Sequence, residues 1–175
     1  MPKYFTTEGL EFLKRRVGEK ESKKRAIGNE VGEAAGDNCD WHDNAPFEDA
    51  RARLELASAD IGRLRADVND AVVVAINEQA DKVAIGTAVT VDVDGKAEKT
   101  YIIGAAYESV PKEGLVAYDT PIALALLGMS VGDTVEVPLR GRTMELTIKS
   151  ILPPSARYQK LVQRIYSPSQ AGGQE

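Results

Sequence analysis

Seven carboxylates and no cation lie between residues 30 and 49: Glu30, Glu33, Asp37, Asp40, Asp43, Glu48 and Asp49. The centre of that stretch, GDNCDWHDNA, is polar and rich in turn formers. Asp40 and Asp43 stand three residues apart, which keeps both carboxylates on one face of a helical tip and close together in a turn. Paired carboxylates suit Mg²⁺, a hard cation that keeps several waters and is commonly held by one or two protein acids plus phosphate oxygens. Two acids on an exposed tip bind it weakly on their own. They become useful where a second macromolecule supplies further acids and phosphates. Taken alone, the same stretch is an ordinary solvated acidic loop.

Other chemistries find less support. Cys39 and His42 bracket Asp40 with Cys-x-x-His spacing, but a structural zinc takes four ligands and the chain has no other Cys or His. A lone Cys and a lone His also leave a Ser-His or Cys-His hydrolase without an independent group to orient its base. The single cysteine makes no internal disulfide, so a cytoplasmic address is expected. The opening MPKYFTTEGLEFLKRR has no apolar core of a secretory signal, and no apolar run approaches the roughly 18 residues that cross a bilayer, so no membrane partner is expected. Net charge is −5, with 22 Lys and Arg against 27 Asp and Glu, which argues against a general duplex-DNA binder but leaves room for a local basic patch. One such patch is Lys14, Arg15, Arg16, Lys20, Lys23 and Lys24. It reads equally as a solvated helix face.

The acidic stretch sits between two helical patterns. Over residues 8–35 the apolar positions Leu10, Leu13, Val17, Ile27, Val31 and Ala34 recur in steps of three and four, with Lys20 and Lys24 in the two middle seam slots. Thr7 before Glu8 is the expected start. The second pattern runs unbroken through Phe47, Ala50, Leu54, Ala57, Ile61, Leu64, Val68 and Ala71, with Pro46 in its first turn. Two such helices joined by about ten polar residues fold back as an antiparallel hairpin. From residue 72 the period becomes two. Strands are expected over 88–93, 99–104, 114–117, 134–138 and 144–152, with a short helix over 121–127 that ends at Gly128 and is capped by Asp119. The fold class is therefore α+β: a coiled-coil hairpin with an acidic tip over 1–75, a small antiparallel-sheet domain over 76–152, and an added tail over 153–175. Within the tail, residues 156–166 are amphipathic and predict a short helix, while 167–175 are expected to be disordered.

With these elements in view the chain resembles the Gre transcript-cleavage factors of bacterial RNA polymerase. The opening TTEGLEFLKRR is similar to that family's first-helix start, and Asp40-Trp41-His42-Asp43-Asn44-Ala45 resembles its Asp-x-x-Glu-Asn-Ala tip. Tyr118-Asp119-Thr120-Pro121-Ile122-Ala123, with Leu126-Leu127-Gly128 and Val131-Gly132-Asp133, resembles its C-terminal signature. The resemblance spans about residues 5–152 and implies a coiled-coil hairpin followed by an FKBP-like domain.

It further implies a factor that is not itself an enzyme and acts as a monomer. The C-terminal domain would dock at the rim of the polymerase secondary channel through Asp119, Thr120 and Pro121. Asp40 and Asp43 at the hairpin tip would then help hold a Mg²⁺ ion of the polymerase active centre. There the polymerase would cleave the nascent RNA 3′ end in backtracked complexes, and the basic patch on the first helix would face that RNA. The chain departs from the family pattern at Asp43, where members carry Glu, a side chain longer by one carbon–carbon bond of about 1.5 Å. The resemblance therefore also admits a non-cleaving member that occupies the same channel and inhibits or modulates the polymerase. A prolyl isomerase, suggested by the C-terminal fold type alone, is disfavoured: residues 77–152 contain no Phe or Trp to line an aromatic pocket.

Overall fold

The computed structural model describes residues 2–36, 45–76, 81–139, 141–154 and 156–167. The chain divides into two compact units, Met1–Lys3 with Leu10–Ala71 and Tyr4–Gly9 with Val72–Glu175. Strand β1 (Lys3–Phe5) opens the chain, helices α1 (Thr7–Gly36) and α2 (Ala45–Asn69) follow, and β2 (Ala71–Val73) pairs with β1 in a two-stranded sheet.

In the first unit α1 and α2 run antiparallel. Arg53 pairs with Glu30 at 2.9 Å, Lys20 pairs with Asp60, and Arg65 pairs with Glu21 at 2.7 Å, so numbers rise on one helix as they fall on the other. Exposed ion pairs of this kind add little to stability. The stronger determinant is the apolar seam: Leu13 and Val17 are buried on α1, and Ala50, Ile61 and Leu64 on α2. Leu54, Ala57 and Val68 are half-buried along the same stripe. Lys20 fits its seam slot by laying a half-buried stem along the interface and placing its ammonium on Asp60.

The second unit is built on a five-stranded sheet. Its strands are β3 (Ala88–Val93), β4 (Ala97–Gly104), β5 (Leu115–Ala117), β6 (Thr134–Leu139) and β7 (Arg142–Leu152), in the order β5-β4-β3-β7-β6. Four strands are antiparallel neighbours, while β5 joins β4 in parallel and makes the sheet mixed. The β3–β4 hairpin turns through residues 94–96, with Asp94 and Gly95 at positive φ (52° and 66°) and the Lys96 amide donating to the Val93 carbonyl at 3.0 Å. Alternation sends Val89, Val91, Ile103, Val137, Leu146 and Ile148 into a core covered by Ala123 and Leu126 of α3 (Pro121–Leu126). Ala88 and Ile102 join Leu115 in a second cluster, covered by Tyr158, Leu161 and Val162 of α4 (Ala156–Tyr166). The tail helix is thus an integral layer of this unit.

Two capping positions differ from expectation by one residue. The Gly9 amide donates to Thr6 Oγ1 at 3.1 Å, so Thr6 rather than Thr7 caps α1. At α3 the cap is Thr120, whose Oγ1 accepts from the Ala123 amide at 3.4 Å and donates to the Ala117 carbonyl at 2.8 Å. Asp119 is left out of that role.

Candidate functional site

Asp40 and Asp43, with Asp37, Cys39, Trp41 and His42, lie outside the described residues, as do residues 168–175 of the tail. Their flanks are described. The acids at the two ends of the acidic stretch are offset after all: Arg53, just beyond it, reaches Glu30 at 2.9 Å and Asp49 at 3.0 Å. The Glu30 hydrogen bond, ahead of the fields of both acids, raises the Arg53 pKa above its usual value.

The basic patch on α1 divides by role. Lys14, Arg15, Arg16 and Lys23 are exposed, with the Arg15 guanidinium over the Phe12 ring at 5.3 Å from its centroid. Lys20 is committed to Asp60. The hydrogen bond from Lys20, with the fields of Lys20, Arg63 and Arg16, lowers the Asp60 pKa below the ordinary carboxylate value. Lys24 is half-buried.

At the start of α3, Asp119 and Pro121 are exposed and Thr120 is half-buried. Pro121 occupies the first turn, where its missing N–H costs nothing. Asp119 makes no ion pair among the described residues, so its charge is presented to solvent beside the helix start. One turn further on, Leu124 is 59% exposed. Sequence reasoning passed over Leu124, although an apolar side chain opposite the buried Ala123 and Leu126 face is a legible signal. The segment therefore offers an acid, a rigid proline and an apolar side chain on a short, firmly capped helix.

A second cluster was also missed. Glu108 is fully buried, and four donors converge on its carboxylate. Thr6 Oγ1 and Tyr166 OH reach Oε1 at 2.7 and 2.8 Å; the Ala105 amide and Tyr158 OH reach Oε2 at 2.8 and 2.7 Å. Burial first, and the Glu108 charge second, push both phenols well above the usual tyrosine range.

Residues 78–153 match the family described as transcription elongation factor, GreA/GreB, C-term. Transcription elongation factor GreA of Nautilia profundicola is 35% identical over 134 residues, covering 75% of this chain and 78% of the relative. The chain belongs to the GreA/GreB family of transcription elongation factors. The family's GreA of Roseiflexus castenholzii is 33% identical over 156 residues, covering 86% of this chain and 97% of the relative. Among solved structures, GreA factor homolog 1 (Gfh1) of Thermus thermophilus aligns with a TM-score of 0.43 at 18% identity, over 86% of this chain and 99% of that one. The family match ends at residue 153, immediately before α4 begins at Ala156. Helix α4 and its contacts to Glu108 therefore lie beyond the matched region.

Proposed function

We propose that this family member binds RNA polymerase at the rim of its secondary channel and stimulates cleavage of the nascent RNA 3′ end in backtracked complexes. Family membership carries the reading, supported by the acid pair Asp40 and Asp43 in the segment that joins two antiparallel helices. In this reading Asp119, Thr120 and Pro121 form the docking face, and the exposed cations of α1 lie toward the extruded RNA. The donor set fits Mg²⁺, since Asp40 and Asp43 offer hard carboxylate oxygens. The ion belongs to the polymerase active centre and there supplies charge neutralisation and an activated water. The chain's own task is to deliver two carboxylates to an ion already held by other acids and phosphates. Alone the protein is catalytically silent, and it works as a monomer in the cytoplasm.

One observation favours a second reading, an inhibitory channel binder. Asp43 is shorter than Glu by about 1.5 Å, and displacement near 1 Å can cost about a hundredfold in rate. RNA 3′-end cleavage in a purified backtracked elongation complex separates the two. Cleavage lost in an Asp40→Asn/Asp43→Asn variant establishes the metal-donating tip. Slowed nucleotide addition without cleavage establishes the inhibitor, and no effect of either kind removes both.

A further inference from the structure

Helix α4 contributes a layer to the core, and it also carries a feature that the core does not use. Its eleven residues, ARYQKLVQRIY, hold three cations and no acid in a chain whose net charge is −5. Tyr158, Leu161 and Val162 face inward, and Tyr166 anchors on Glu108. Arg157, Lys160 and Arg164 follow at steps of three and four, a spacing that places them in one stripe beside that buried face. All three are exposed. With Leu161 and Glu113 they line an open concavity of about 460 Å³.

Glu113 organises this stripe without cancelling it. Its carboxylate pairs with Arg164, and its main-chain carbonyl accepts from Arg157 at 3.0 Å. Each guanidinium has five N–H donors and meets Glu113 through one terminal nitrogen, so donors remain on both. Lys160 makes no ion pair among the described residues. Three cations against one acid leave the concavity positive. The seven steps from Arg157 to Arg164 rise about 10 Å at about 1.5 Å each, the axial length of about three phosphates of one strand.

The geometry points to a binding site for the phosphodiester backbone of nucleic acid on the exposed face of α4. Two arginines held in place by Glu113 would grip successive phosphates, as planar guanidinium groups favour, and Lys160 would add a mobile point charge. Nucleic acid is chosen over an acidic protein surface for two reasons. The cations form a line rather than a disc, and a transcription elongation factor works beside RNA and DNA. The inference uses only the family assignment and is independent of cleavage by the tip.

The test is fluorescence anisotropy of the full chain with a labelled single-stranded RNA of about twelve nucleotides, a length suited to one binding surface. A duplex DNA of equal length forms a parallel arm, and both are read across a salt series. Lys160→Glu should weaken binding about threefold to tenfold at low salt and lower the slope of log affinity against log salt by about one. Lys160→Gln should give a smaller loss in the same direction, and circular dichroism should show both variants folded. Lys23→Glu on α1 reports how much binding comes from the other basic patch. The arm with the larger Lys160 effect identifies the strand type. No binding by the wild type, or equal affinity and slope in wild type and both Lys160 variants, overturns the proposal. Equal displacement of the RNA by polyglutamate at matched charge also overturns it, because the stripe would then read negative charge in general.

Discussion

The Tyr158 hydroxyl donates to Glu108 Oε2 at 2.7 Å across fifty residues of sequence, and both side chains are buried. Tyr166, about two turns further along α4, donates to the other oxygen at 2.8 Å. A buried carboxylate is tolerable only when its lone pairs are satisfied, and here all four hydrogen-bond donors are neutral. The tail helix supplies two of them, and so the sheet unit depends on residues beyond the family's matched region.

Removing one donor should therefore be measurable. Tyr158→Phe leaves Oε2 with the Ala105 amide alone and should cost about 1.5–3 kcal/mol, the range for a hydrogen bond to a charged group. Glu108→Ala removes the acceptor shared by all four donors and should cost more than Tyr158→Phe. Denaturant melts of the two variants should rank them in that order. Equal stability of Tyr158→Phe and wild type would show that the cluster contributes nothing net.

Glycine positions on α1 should split in sign. A Cβ at Gly9 would sit 2.5 Å from Tyr166 Oη and 2.9 Å from Thr6 Oγ1, whereas at Gly18 it would meet nothing within 4 Å. Gly18→Ala should therefore stabilise by about 0.5–1 kcal/mol, the ordinary helix gain over glycine. Gly9→Ala gains the same helix term but displaces a hydroxyl bound to a buried carboxylate, so it should destabilise by about 1–3 kcal/mol. Paired thermal melts decide it; at about 2–4 °C per kcal/mol for a chain of this size the two shifts should be opposite and resolvable.

Much of this architecture was open to a reading of the residues, because period is local information. The α2 seam from Phe47 to Val68 and the alternation of β3 each depend on neighbours a few residues apart. Strands β1 and β2, of three residues each, are too short to show a period. The caps shifted by one because Thr6 and Thr7, and Asp119 and Thr120, are all good capping types, and backbone angles alone choose between them. Glu108 was illegible for a different reason. Its side-chain partners lie 102, 50 and 58 residues away, and nothing in a buried carboxylate's own surroundings in sequence announces them. Leu124 was legible and passed over. At the tip, the residue types suggested the chemistry, and Asp43 departs from the family pattern by one methylene, a difference in reach that composition does not resolve.

The phenols give the sheet unit an alkaline weakness. Tyr158 and Tyr166 have pKa values raised by burial and by Glu108, so each contributes stability that is present below the unfolded tyrosine value of about 10. As pH rises past about 10 the unfolded chain loses those protons and the folded chain keeps them, so stability falls. Phenolate absorbance against pH should show these two tyrosines ionising together with loss of tertiary structure. In Tyr158→Phe the alkaline transition should move less steeply with pH. An unchanged slope would assign the alkaline weakness to other groups.

Residues at and just beyond the proposed docking face should separate fold from function. Thr120 caps α3, so Thr120→Ala should cost about 1 kcal/mol of stability, visible in melting without any partner. Asp119 and Leu124 support nothing comparable: Asp119 is exposed without an ion pair among the described residues, and Leu124 is 59% exposed. Asp119→Ala and Leu124→Ala should thus leave the melting temperature within about 1 °C of wild type, as surface substitutions usually do. If this end of α3 is the polymerase contact, each should weaken binding to the purified enzyme by about tenfold, the effect of losing one well-placed interface side chain. The Asp119→Ala loss should shrink as salt rises, because an exposed charge is screened, while the Leu124→Ala loss should persist. Wild-type affinity in both variants would move the docking face elsewhere on the unit and leave Thr120 a purely structural residue.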